Sequence, residues 1–269
     1  MKNWINLCFL ICFAVICNAA FAAMNGPTGL ALDTKGNLYV ANFESNQIQV
    51  YSPQQSLIST KTITKDVSGP VAVALDPLGD VWVANFSSST LTGYNAKGKE
   101  LTPITLGISS PTAMAMDGAG NFWVVNGASS FVVLDAFGDL IRTANVSALG
   151  AGANTITSIC VFNGLVMFGN DAELFQMLET EYVATGGAGG ILSPYRRGVA
   201  VAYDASGNEW VAESDGSVYL YGTLKIISLS YQPSGMVVDS ARKRVYFSHN
   251  AGNSVDVYTT SGKFVTTIQ

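Results

Sequence analysis

Apolar residues in this chain fall in short runs of strand length, paired across tight polar turns. Residues 27–42 show the pattern most plainly, as PTGLALDTKGNLYVAN. Apolar positions alternate up to Leu32, Asp33 opens a turn that closes on Gly36-Asn37, and a second run, Leu38-Tyr39-Val40, ends at Asn42. Period-two alternation predicts strands, and a Gly-centred polar turn between two such runs predicts an antiparallel hairpin. The unit returns as PVAVALDPLGDVWVAN at residues 70–85 and PTAMAMDGAGNFWVVN at 111–126, then as GVAVAYDASGNEWVAE at 198–213 and PSGMVVDSARKRVYFSHN at 233–250. Between the third and fourth copies lies room for one more, and TSICVFNGLVMFGN at 157–170 fills it with a shortened turn.

The polar residues closing the second runs are Asn42, Asn85, Asn126, Asn170, Glu213 and Asn250, spaced by 43, 41, 44, 43 and 37. Six units of about 41 residues therefore account for the chain from Pro27 onward. Each unit continues with a third run such as Ile48-Gln49-Val50-Tyr51 and a fourth, Thr-rich one such as Lys61-Thr62-Ile63 or Phe264 to Ile268. Hydrophobicity falls from the first strand to the fourth, as it does when inner strands are covered on both faces and the outermost is wet. The pattern predicts an all-β chain, a six-bladed β-propeller of four-stranded antiparallel blades at about 24–65, 66–106, 107–148, 149–190, 191–229 and 230–269. Helical repeats of similar period are excluded by Gly or Pro breaks in every unit. With the first unit opening on a first strand and the last ending on a fourth, no strand is exchanged at closure, which predicts a softer seam between units 6 and 1.

Residues 1–22 read as a cleavable leader: Lys2, an apolar stretch from Ile5 to Val15, and the small-x-small triplet Ala20-Phe21-Ala22. The stretch is shorter than the roughly 20 residues a bilayer span needs, so export to the periplasm or outside the cell is expected, with no transmembrane span after cleavage. Cys8, Cys12 and Cys17 lie in the leader, leaving Cys160 with no disulfide partner and reading as a buried thiol. The remainder carries 13 basic against 19 acidic residues, a balance that disfavours nucleic acid and anionic membranes as partners. A monomer is expected.

The unit P-x-G-[LIV]-A-[LIV]-D-x-x-G-N-[LIV]-[YW]-V-A-[DN] resembles NHL repeats and the related SMP-30/gluconolactonase and streptogramin lyase propellers, over essentially Pro27 to Ile268. That resemblance implies the fold. It leaves function open, since such propellers include scaffolds, ligand binders, lactonases and lyases.

The candidate chemistry is sparse. The polar residues ending the second strands are expected around the channel mouth on the face carrying the blade connections, where Asn42, Asn85, Asn126, Asn170 and Asn250 would bind a ligand. Glu213, the one charged member, would help them hold Ca²⁺ or another divalent cation, as SMP-30-like hydrolases similarly hold a metal. The alternative is that each Asn hydrogen-bonds its own local backbone. His249 is the single histidine and the one candidate acid–base group, in the manner the lyase resemblance suggests, or else it fills space. Arg196-Arg197 could form an anion pocket. The repeated Asp33, Asp76, Asp117, Asp204 and Asp239 read as turn formers, and the aromatics Tyr39, Trp82, Trp123, Trp210 and Phe247 as packing between blades. The leading expectation is a binding module that meets a protein, carbohydrate or small molecule at the channel mouth. A metal-dependent lactonase-like hydrolase and a streptogramin lyase-like enzyme are the alternatives.

Overall fold

The alternating runs fold as antiparallel sheets, six among the described residues. The structure, a computed structural model, describes residues 23–127, 130–145, 156–169, 174–178, 190–193, 198–220 and 225–269. Blade 1 is β1 (Pro27–Leu32), β2 (Leu38–Asn42) and β3 (Gln47–Tyr51), and blade 2 is β4 (Pro70–Leu75), β5 (Val81–Asn85) and β6 (Thr90–Tyr94). Blade 3 is β7 (Pro111–Met116), β8 (Phe122–Asn126), β9 (Ser130–Leu134) and β10 (Leu140–Asn145). Blade 4 is β11 (Ser158–Phe162), β12 (Leu165–Gly169), β13 (Leu174–Leu178) and β14 (Gly190–Ser193). Blade 5 is β15 (Ala200–Tyr203), β16 (Glu209–Ala212), β17 (Ser217–Leu220) and β18 (Lys225–Ser228). Blade 6 is β19 (Gly235–Asp239), β20 (Arg244–His249), β21 (Ser254–Thr259) and β22 (Phe264–Ile268). The first strands neighbour one another in turn, β1 to β4 to β7 to β11 to β15 to β19, and β19 returns to β1, which closes the ring.

Blades 1 and 2 differ from the expected four strands. Their outer element is reduced to isolated bridges, Ile48 with Ile63 and Tyr51 with Leu57 in blade 1, and Leu91 with Ile104 and Tyr94 with Glu100 in blade 2. A 3-10 turn at Ser59–Lys61 interrupts the first of these segments. In TKTITK only Ile63 offers an apolar side chain to the sheet, too little to zip a continuous ladder.

Burial between blades follows one repeated position. Tyr39 packs with Val73, Val81 and Val83 of blade 2, Trp82 with Met114 and Phe122 of blade 3, and Trp123 with Ile159 and Phe168 of blade 4. Trp210 packs with Met236 and Phe247 of blade 6. Trp82 and Phe122 meet edge to face at 4.8 Å, a favoured ring arrangement. In blade 6 the position belongs to Tyr246 rather than Phe247. Val238 pairs with Val245 as Leu32 pairs with Leu38, because the Ser240–Lys243 turn is one residue longer than its counterparts.

Tyr246 joins Met24, Leu38 and Val40 in one core, so blade 6 is covered by blade 1 as any blade is by the next. Side chains stitch the same seam: Ser248 Oγ donates to Thr28 O at 2.6 Å, Ser234 Oγ to Pro27 O at 2.8 Å, and Gly26 N to Asn253 Oδ1 at 2.8 Å. The closure, where a softer seam is expected, is thus packed and hydrogen-bonded as the other seams are. The Ser234 bond is itself a repeated device, matched by Thr28 Oγ1 to Pro70 O, Thr112 Oγ1 to Ile156 O and Thr157 Oγ1 to Val199 O.

Among the described residues, the apolar core shared by blades 4 and 5 is small. Met167 stands there in place of an aromatic, and it shares a core with Leu174, Val201 and Val211, with Cys160 and Tyr203 beside it. Glu209 occupies the strand-start position that is Leu38 in blade 1 and Phe122 in blade 3. Its Oε1 accepts from Gln176 Nε2 at 2.7 Å, while its buried Oε2 meets no hydrogen-bond partner among the described residues. Burial pushes this carboxyl above its ordinary range despite the Gln176 bond. A raised native value means the folded chain holds the proton, so this group's stabilisation is full below the ordinary 4.5 and is lost as pH rises through the native value. Glu209→Gln should raise Tm at neutral pH, with the advantage shrinking on acidification toward about 4.5, as followed by calorimetry.

Candidate functional site

Three of the asparagines closing the second strands do not face a channel. Asn42 and Asn85 are fully buried, and Asn126 is nearly so. Asn42 Oδ1 accepts from Asn25 N at 3.2 Å, Asn85 Oδ1 from Ser68 N at 2.9 Å, and Asn126 Oδ1 from Ser109 N at 3.1 Å. The donor always lies 17 residues upstream, in the loop leading into the same blade's first strand. The amide nitrogens are spent as well, on Gln49 Oε1 at 3.1 Å for Asn42 and on Thr92 Oγ1 at 3.0 Å for Asn85. Each asparagine thus pins the connection between blades, because a buried loop N–H with no acceptor is costly.

In blade 6 register decides the matching residue. Pro27 pairs with Asn42, and Gly235 with Ser248, so the Asn42 position falls on His249, not on Asn250. Asn250 is exposed, in the turn where its carbonyl accepts from Asn253 N at 3.1 Å. His249 stacks on Tyr231 with ring centroids 3.7 Å apart and planes 5° from parallel. Tyr231 stands two residues before Pro233, as Asn25 stands before Pro27. The stack therefore fastens the same loop that the asparagines fasten by hydrogen bond. Tyr231 Oη is anchored in turn on Asp256 Oδ2 at 2.9 Å.

Glu213 does occupy the Asn42 position in blade 5, half-buried, with its carbonyl accepting from Gly216 N at 3.0 Å and its N–H donating to Ser217 O at 2.8 Å. Asn170, Arg196 and Arg197 lie outside the described residues. No group of three His, Cys, Asp or Glu side chains capable of holding a metal comes together among the described residues. The amide oxygens of Asn42, Asn85 and Asn126, being already bonded to backbone, do not fit a cation. The turn aspartates hold the opposite face: Asp76 Oδ1 accepts from Leu78 N and Asp80 N, each at 2.9 Å, and Oδ2 from Trp82 Nε1 at 3.4 Å. Burial pushes the Cys160 thiol well above its usual range, which leaves it little nucleophilic.

The ring axis leaves little room. The first strands of all six blades line a space of about 70 Å³, enough for a water or two. Small residues permit this closeness: a Cβ on Gly29 would stand 2.6 Å from Ala72 Cα, and one on Gly235 2.4 Å from Thr28 O. A far larger concavity, about 990 Å³, opens between blades 1 and 2 on the face of the aspartate turns. Its walls are the turns beginning at Asp33, Asp76 and Asn95 and the segment 60–65; Tyr39, Val81 and Tyr94 form its floor. Tyr94 Oη donates to Lys65 O, tying the floor to that wall. The groove exists because the outer elements of these two blades never become strands. The run TKTITK carried its signal in the sequence, where hydroxyls and lysines replace the apolar alternation of an edge strand.

Comparison with known proteins agrees with this architecture. The NHL repeat family matches residues 24–51. No curated protein sequence matches the chain. Among solved structures, a streptogramin B lyase superposes with a TM-score of 0.65 at 14% identity, over 93% of this chain and 84% of that one. A virginiamycin B lyase from Staphylococcus aureus gives 0.66 at 14% identity, over 91% and 84%. A catalytically inactive histidine-to-alanine variant of the latter enzyme, with quinupristin, gives 0.63 at 14% identity over the same shares. The protein is an all-β propeller in which residues 24–51 match the NHL repeat, and its fold is similar to that of the solved streptogramin B and virginiamycin B lyases.

Removing the Asn85 acceptor should cost about 1–3 kcal/mol, so Asn85→Ala should lower Tm by roughly 3–10 °C. His249→Ala, losing a stack worth about 0.5–1.5 kcal/mol, should lower it by only a few degrees. Differential scanning calorimetry on the two variants checks both.

Proposed function

We propose that this chain is an exported, non-catalytic binding propeller that seats its ligand in the groove between blades 1 and 2. The observation carrying this reading is how the polar side chains are used. Three of the second-strand asparagines and His249 are spent on fastening inter-blade loops, while a concavity of ligand size stands open elsewhere. A volume of about 990 Å³ lies at the upper end of the roughly 300–1,000 Å³ typical of ligand pockets. The axial space, at about 70 Å³, is too small for an organic ligand, which moves the seat away from the channel mouth. Export rests on the leader-like residues 1–22.

A lyase reading is favoured by one observation, the shared propeller fold with streptogramin B lyases. General acid–base work needs a group within hydrogen-bond reach of substrate, and His249 has one ring face covered by Tyr231. Metal-assisted lactone hydrolysis would need a cluster of anionic ligands, and no group of three His, Cys, Asp or Glu side chains comes together among the described residues.

The direct test incubates the purified chain with quinupristin and, separately, with gluconolactone, each with Ca²⁺ and with EDTA. The binding reading predicts no consumption of either substrate above the buffer rate and no change of Tm with Ca²⁺. Quinupristin turnover that disappears in His249→Ala would replace it with the lyase reading. Ca²⁺-dependent lactone hydrolysis that disappears in Glu213→Gln would replace it with the hydrolase.

A further inference from the structure

We infer that the groove between blades 1 and 2 is a site for an acidic oligosaccharide, one whose sugar units carry carboxylates; this rests on the binding reading above. The argument starts from charge. The chain is acidic overall, with 14 Lys and Arg against 19 Asp and Glu, yet Lys35, Lys61, Lys65 and Lys97 all line this one groove. Lys65 is committed to Glu100 and Asp66. Lys35, Lys61 and Lys97 are exposed, and none has an acidic side chain within ion-pair distance among the described residues.

The lining carries four lysines against three carboxylates, Asp33, Asp76 and Glu100, and each carboxylate is already engaged within the protein. Asp33 Oδ1 accepts from Lys35 N at 2.9 Å and Asn37 N at 2.8 Å, and Oδ2 from Asn37 Nδ2 at 2.6 Å. Asp76 is spent in the same way on Leu78, Asp80 and Trp82, and Glu100 on Lys65. Their oxygens are held by N–H donors and by Lys65, while Lys35, Lys61 and Lys97 stand exposed. A ligand entering here meets cations first.

The shape and chemistry of the wall choose among anions. Segment 60–65 places Thr60, Thr62 and Thr64 along one side, and Asn95 stands on another. Hydroxyl and amide groups suit a polyol that both donates and accepts. Apolar side chains share the lining, among them the exposed Pro77 and Leu78, and can lie against the carbon faces of sugar rings. The three free lysines come from three separate elements, the first turn of blade 1, its outer segment and the outer turn of blade 2, which asks for carboxylates distributed along a chain rather than one compact anion. This is also the place where the repeat departs from four continuous strands, and departures from a repeat's own rules concentrate at functional sites.

Isothermal titration with trigalacturonate on the full mature chain tests the assignment, with maltotriose, tripolyphosphate and pentaglutamate as comparison probes. Trigalacturonate should bind in low salt, weaken as salt shortens the Debye length toward about 3 Å near 1 M, and bind better than each of the other three. The triple variant Lys35→Ala, Lys61→Ala, Lys97→Ala should lose tenfold or more in affinity with its Tm unchanged, since all three side chains are exposed. The corresponding triple Lys→Arg variant should retain binding. Equal binding of maltotriose, preference for tripolyphosphate or pentaglutamate, no trigalacturonate binding at low salt, or full affinity in the alanine variant would each overturn the assignment. Maltotriose binding in the groove would leave the binding reading standing, whereas turnover of quinupristin or gluconolactone would remove that reading itself.

Discussion

Each blade has a flank that only the next blade can cover. A twisted sheet of three or four strands buries too little against itself to be stable, and the second-strand aromatic, Tyr39, Trp82, Trp123, Trp210 or Tyr246, is the side chain that crosses to the neighbour. The chain must then close, because an open arc would leave the last such aromatic in water. Closure falls on Tyr246 packing with Met24 and Leu38, backed by the serine bonds from blade 6 to the backbone of β1. The hydroxyl-to-carbonyl clasps around the inner ring are the polar counterpart of the same constraint.

Once the flanks are committed, most of the polar inventory follows. First strands packed side by side leave a narrow axis, and loops entering it carry buried N–H groups that need acceptors. Asn42, Asn85 and Asn126 supply them, and a histidine–tyrosine stack does the equivalent fastening in blade 6. The conspicuous repeated residues thus serve closure. The groove, by contrast, forms where the repeat lapses, along a Thr- and Lys-bearing segment that pairs with its sheet through isolated bridges alone.

This division explains what the sequence revealed. The hairpin units, the aspartate turns and the inter-blade aromatics were legible because period-two alternation and Gly-centred turns are local signals. The role of the asparagines was legible as one of two alternatives, but the donor 17 residues upstream is a matter of three-dimensional approach. The register of blade 6 was misread by one residue because the Ser240–Lys243 turn is longer, which moved His249 into the asparagine position and Tyr246 into the aromatic one. The groove was missed because Lys61-Thr62-Ile63 reads as a plausible wet edge strand until its neighbours show how little of it pairs. The polar seam at Glu209 hid for a different reason: the cross-blade partner, Gln176, is 33 residues away.

Native-state hydrogen exchange resolved by residue tests the central claim most directly, since it reads how firmly each blade is held by the next. If flank burial holds the ring, amides of β1 and β19 at the closure should be as protected as those of β4 and β7, and β15 and β16 beside the polar seam should open first. Early exchange at β1 and β19, with β15 and β16 persisting, would contradict the account.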